Sequence, residues 1–190
     1  MDIQRFGVKS FLSSPDALEI EEMMPLFQRW IQQTALPGML IDAADYQHVP
    51  DGPGMLLLAH ECDYAMDMRL GRPGMFYRHK RDLSGSLQEK FRTILSRHFA
   101  SCKKLETDTE LSHGTTELEI AVFDKINAPN QPETLELFKA DLEAVLNEAY
   151  KGSSFEIAVK EQSPQDFFRL QVTVQDSPDI STLAERLPVA

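Results

Sequence analysis

The stretch that decides the fold is LEIAVFDKI at Leu118–Ile126, followed by PETLELFKADLEAVLNEAY at Pro132–Tyr150, FEIAVKE at Phe155–Glu161 and FFRLQVTV at Phe167–Val174. The first, third and fourth runs are rich in β-branched and aromatic residues and bounded by polar breaks, which reads as strand. The second spaces Leu135, Phe138, Leu142, Val145, Leu146 and Ala149 three or four residues apart, one apolar stripe along a helix. Pro132 suits its first turn, and Glu133 and Glu136 complement the positive end of the helix dipole. The order is β-α-β-β.

The same order recurs in the N-terminal half. Val8–Phe11 is a short strand, a helix ends near Thr34, and Met39–Asp45 and Gly54–Glu61 are two more strands. The crossovers nearly match: 24 residues from Pro15 to Met39 (39 − 15) and 23 from Pro132 to Phe155 (155 − 132). The sequence thus predicts an α+β fold of two β-α-β-β units, a duplicated ferredoxin-like variant with helices packed on an antiparallel or mixed sheet. Residues 1–106 make a β-α-β-β-β-α half and residues 107–190 a β-α-β-β half of one compact domain.

Details follow from the same periodicities. Met23, Leu26, Phe27, Trp30 and Ile31 form the buried face of the first helix, with Trp30 in the core and a restart at Pro25. Pro50-Asp51-Gly52-Pro53-Gly54 is turn chemistry, so the flanking strands pair as a hairpin. Gly74–Arg81 extends the meander. Leu87, Phe91, Ile94, Leu95, His98, Cys102 and Leu105 line a helix over Ser86–Lys104, on which His98 and Cys102 read as core-edge residues. Thr107–Thr115 reads as a loop between the halves, and the tail after Val174, with few apolar anchors, as partly mobile.

Composition bounds the function. Of the 190 residues 42% are apolar and 26% charged, an ordinary globular balance. No apolar run reaches the roughly 20 residues that span a bilayer. The Met1-Asp2-Ile3-Gln4-Arg5 start lacks a secretory pattern. Cys62 and Cys102 match no redox or metal spacing, which points to a cytoplasmic protein with free thiols. Net charge is −11, yet residues 69–104 hold ten Lys or Arg against Asp82 and Glu89, so this segment carries +8 and the remainder −19. Such an acidic chain is a poor non-specific nucleic-acid binder, and neither nucleic acid nor membrane is expected as a partner. The complementary segments point instead to a homo-oligomer, most simply a dimer.

Polar residues concentrate on the first hairpin and its exit. Strict alternation puts Leu56, Leu58, His60 and Cys62 on one face, with Asp42 placed to meet His60 across the hairpin. His60, Glu61, Asp63 and Tyr64, with Arg78 as counter-charge, are the candidate ligand-binding residues for a small polar or anionic ligand. A metal-assisted hydrolase using Asp42, Asp45, His48 and His60 is the alternative, since mixed N/O ligands suit zinc or manganese. A purely structural polar network is the third reading. No G-x-S-x-G elbow and no Gly-Lys-Ser/Thr phosphate loop occurs, so the sequence assigns neither catalytic residues nor a cofactor.

The segment Leu40-Ile41-Asp42-Ala43-Ala44-Asp45-Tyr46, then His48-Val49, Asp51-Gly52-Pro53-Gly54 and His60-Glu61-Cys62-Asp63-Tyr64, resembles a family of uncharacterised bacterial proteins. The resemblance runs over roughly Lys9–Arg81. It implies a bacterial, cytosolic origin and brings no mechanism. Ala59 precedes His60 where the family pattern has glycine. The sequence alone therefore leads to a soluble protein that binds a small polar or anionic ligand or a protein partner.

Overall fold

The computed structural model describes residues 3–160, 163 and 166–189. Met1, Asp2 and Glu161, used in the sequence reading above, lie outside the described residues. Eight strands form one antiparallel sheet in the order β2-β3-β4-β5-β1-β6-β8-β7. They are β1 (Phe6–Leu12), β2 (Leu40–Tyr46), β3 (Gly54–Ala59), β4 (Cys62–Asp67), β5 (Gly74–His79), β6 (His113–Val122), β7 (Phe155–Val159) and β8 (Phe168–Val174). Helices α1 (Met23–Gln33), α2 (Leu87–Asp108), α3 (Lys139–Ala149) and α4 (Ile180–Arg186) cover one face. No helix among the described residues is long and apolar enough to cross a membrane.

The α+β expectation holds in this form. In both halves a central strand leads through a helix to the sheet edge, and the chain then returns inward strand by strand. The returns differ: β3, β4 and β5 separate β1 from β2, whereas only β8 separates β6 from β7. The halves join through β1 and β6, whose register pairs Val8 with Ile120 and Lys9 with Glu119.

Strand alternation divides the sheet into two chemically different faces. Phe6, Val8, Leu57, Tyr64, Met66, Tyr77, Leu118, Ile120, Leu170 and Val172 point to the helices and form one core with Trp30, Phe91, Ile94, Phe99 and Leu146. The Trp30 indole donates to Asp108 Oδ2 at 2.6 Å, tying α1 to the end of α2. Ser86 starts α2 with a capping box, its side chain accepting from the Glu89 backbone while Glu89 accepts from the Ser86 backbone. Pro25 lies in the first turn of α1, where no helical donor is needed, after two 3-10 turns at Pro15–Ala17 and Ile20–Glu22.

Several expected boundaries move. The chain reverses at His60 and Glu61, and Cys62–Asp67 forms a strand the sequence reading ran past. That strand inserts between β3 and β5, so Gly74–His79 pairs with β4 and β1 rather than continuing the first hairpin. The reversal also resets the alternation, putting Cys62 with Leu57 and Ala59 on the helix face. Asp42 is opposite Leu58 and does not meet His60. The Thr107–Thr115 loop shrinks, because α2 runs to Asp108 and β6 begins at His113. The tail is anchored by α4, which buries Ile180 and Leu183, with Leu187 buried just beyond it.

Candidate functional site

The helix-free face of the sheet is where the charge gathers. Gly7, Lys9 and Phe11 of β1, Asp63 and Asp67 of β4, Phe76 and Arg78 of β5, Glu119 of β6 and Arg169 of β8 all have this parity. Three carboxylates are nearly covered: Asp63 is 4%, Asp67 1% and Glu119 8% exposed. Each is held by two cations. Asp63 meets Arg78 Nη2 and Lys80 Nζ, both at 2.7 Å. Asp67 meets Lys9 Nζ and Arg69 Nε, both at 2.7 Å. Glu119 meets Lys160 Nζ at 2.5 Å and Arg169.

Two cations on one carboxylate leave each cluster with an excess positive charge. Burial pushes the Glu119 carboxyl up, but Lys160 and Arg169 outweigh it and hold the group below the usual carboxylate range. Burial lowers the Lys9 ammonium, with Asp67 opposing. A fourth pair, Arg72 with Glu117, is bidentate at 2.9 and 2.7 Å, with the guanidinium 3.7 Å over the Phe11 ring.

Around these clusters the face is concave. A cavity of about 490 Å³ is lined by Arg5, Arg69, Arg78, His79, Lys80, Phe123, Phe167 and Arg169. No carboxylate is among these lining residues. Neighbouring hollows of about 360 and 340 Å³ also touch Arg69, so the three meet at that side chain. The carboxylates sit beneath and beside the cations, orienting their donors and suppressing their rotamer freedom. Preformed guanidinium and ammonium donors in a partly desolvated hollow suit an anion, most of all a planar or tetrahedral oxyanion that arginine can grip with two N–H groups.

The five predicted site residues divide among three places. Asp63 and Arg78 come together on the open face, with Lys80 as a partner the sequence reading left out. His60 and Glu61 form the β3–β4 reversal, their Nδ1 and Oε1 3.6 Å apart, and Glu61 also accepts from the Met39 backbone at 3.1 Å. Tyr64 points the other way, into the core, where its hydroxyl donates to the Pro37 carbonyl at 2.8 Å and burial pushes its pKa up. Reasoning from sequence missed Arg5, Arg69, Glu119 and Arg169. For Glu119 within LEIAV and Arg169 within FRLQV the signal was a charge at the open-face parity of an otherwise apolar strand, whereas Arg5 precedes β1 and Arg69 lies in the 3-10 turn after β4, and neither carries such a signal.

The proposed metal ligands are not gathered. Asp42 accepts from the Ala43 backbone, Asp45 from Gln47, and His48 stacks near Tyr46 with ring centroids 6.2 Å apart. Among the described residues no group of three or more His, Cys, Asp or Glu side chains is arranged to hold a metal ion.

Two buried polar networks lie on the helix side. Tyr77 Oη and His79 Nδ1 are hydrogen-bonded at 2.8 Å, and burial next to Arg97 pushes His79 down to about 4. His98 Nε2 sits 2.8 Å from Ser10 Oγ and 3.5 Å from Cys102 Sγ, while His113 Nδ1 lies 3.0 Å from Glu106. Burial opposes charge on both Cys102 and His113, but their mutual attraction prevails. Cys102 is lowered to about 6 and His113 raised to about 9. No family model, curated protein or solved structure matches the chain.

Proposed function

We propose that this protein binds an anionic small ligand on the open face of its sheet. One observation carries the reading: in a chain of net charge −11, the described residues that line the cavity of about 490 Å³ include five Lys or Arg side chains and no carboxylate. Concentrating like charges raises the self-energy of the empty site, and an arriving anion relieves it. The buried carboxylates beneath keep the cations in place without filling the hollow.

The charge asymmetry along the chain supports this use of the cations over an intermolecular one. Arg72 pairs with Glu117, Arg92 with Glu148 and Lys103 with Glu185, so the basic segment meets the acidic remainder within one chain. The test is thermal denaturation with pyrophosphate at low salt. Bound anion raises the transition temperature of the wild type by mass action. Arg78→Gln, a substitution at a half-exposed side chain, removes most of the rise. A wild-type transition unchanged by millimolar pyrophosphate would contradict the proposal.

A further inference from the structure

The cation-lined cavity has an aromatic wall, and this wall is built rather than incidental. Phe123 and Phe167 line it, both only half-buried, with ring centroids 5.0 Å apart and planes at 72°. Phe76 continues the series at 6.4 Å and 81° from Phe123. The series lies on the sheet because residue 7 is glycine. A Cβ there would come within 2.7 Å of the Phe76 ring and 2.9 Å of Phe123. Lys125 covers Phe167 at 4.7 Å from its ring centroid. Half-exposed phenylalanines beside arginines gain little from water, and they offer π-faces and edges to a planar partner.

Resting on the anion-site reading above, we infer that the ligand is a nucleoside phosphate, its base against Phe123 and Phe167 and its phosphates among Arg5, Arg78, Lys80 and Arg169. Two chemistries meet in one hollow: an apolar aromatic wall and a set of guanidinium and ammonium donors with no carboxylate among the described lining residues. The volume of about 490 Å³ lies within the range of small-molecule pockets, roughly 300–1,000 Å³. Among the described residues neither a glycine-rich loop nor a helix N-terminus contributes to the lining, so side-chain donors carry the phosphate recognition there. Recognition is then governed by arginine geometry and ring stacking.

The experiment is calorimetric titration of the full chain at low salt with pyrophosphate, with the four common ribonucleoside diphosphates, with the matching nucleosides and with an eight-residue oligothymidylate. Wild type is compared with Phe167→Leu, which keeps apolar volume but removes the ring, and with Arg78→Gln. Near-UV circular dichroism checks that each variant is folded. At least one nucleoside diphosphate should bind about tenfold or more tighter than pyrophosphate, in keeping with base–aromatic stacking. Phe167→Leu should abolish that advantage, bringing the diphosphates to the affinity of pyrophosphate for the same variant, while Arg78→Gln should weaken both ligands.

If pyrophosphate binds as tightly as every diphosphate, the aromatic assignment is overturned and the anion site stands. Failure of both ligands overturns both readings. Oligothymidylate binding tighter than every free nucleotide would reassign the face to single strands and overturn the small-ligand inference.

Discussion

Lys9 and Asp67 form an ion pair across an intervening strand: Nζ lies 2.7 Å from Oδ2, although β5 separates β1 from β4. The residue opposite Asp67 on β5 is Gly74, where a Cβ would come within 2.1 Å of the Ser10 carbonyl oxygen, so β1 and β5 approach closely beside the pair. Their side chains are only 5% and 1% exposed, so the pair is desolvated and its partners are not interchangeable with water.

Removing one member should therefore cost far more than a surface ion pair. Lys9→Met leaves Asp67 with Arg69 alone and should lower unfolding free energy by about 3 kcal/mol. Adding Asp67→Leu should restore much of that loss, since apolar replacement of a buried pair is often neutral. Urea unfolding midpoints of the single and double variants decide it. A single variant within about 0.5 kcal/mol of wild type would show that the pair is solvated.

Gly7→Ala should disturb the aromatic wall more than the fold. The new methyl meets ring atoms of Phe76 and Phe123, which must lift, at a cost of about 1–3 kcal/mol typical of overpacking. The expected outcome is a folded protein with altered near-UV circular dichroism and weakened nucleoside diphosphate binding, the binding of pyrophosphate being less affected. Unchanged binding and unchanged aromatic signal would separate the rings from the site.

His79 should make stability fall in mild acid. It is lowered to about 4 in the folded chain against 6.5 unfolded, through burial and Arg97, with nearby Glu61 opposing. The unfolded state therefore binds the proton first. The contribution of His79 is fully present above pH 6.5 and is lost as pH falls from there through about 4, about 3 kcal/mol in all. His79→Gln should flatten this part of the stability profile measured by urea unfolding. An equally steep profile in the variant would assign the slope to other groups.

The Cys102–His113 pair gives the opposite expectation, a flat profile. His113, raised to about 9, contributes stability below its unfolded value of 6.5 and loses it as pH rises through about 9. Cys102, lowered to about 6 from 9.0, contributes above pH 9.0 and loses that as pH falls through about 6. Between about pH 6.5 and 9 the two changes cancel, because folded and unfolded states hold the same number of protons. Thiolate absorbance near 240 nm at pH 7.5, present in wild type and absent in Cys102→Ala, is the direct readout. A pair that is neutral in the folded state would give no difference between them.

The elements were legible where local chemistry spoke alone. The stripe from Leu87 to Leu105 and the Pro-Asp-Gly-Pro-Gly turn each carry their own physical signal. The β3–β4 reversal does not: His60-Glu61 contains no glycine, proline or asparagine, and mostly apolar segments, residues 55–59 and 62–66, flank it on both sides. Helix α4 was hidden by its length, seven residues with two buried anchors. The site was less legible still. Asp63 and Arg78 were both singled out, but the clusters unite residues 58, 15, 17, 41 and 50 positions apart in sequence. Such pairings depend on strand order and register, and no local propensity encodes them.

The most direct test of the anion site is a ¹⁵N-resolved NMR titration with pyrophosphate that follows the arginine side-chain Nε–Hε signals. The account predicts saturable shifts of Arg5, Arg78 and Arg169 on the open face, with Arg92, paired to Glu148 away from the cavity, unmoved. Shifts confined to Arg92 and other arginines outside the cavity, or no saturable shift at all, would contradict it.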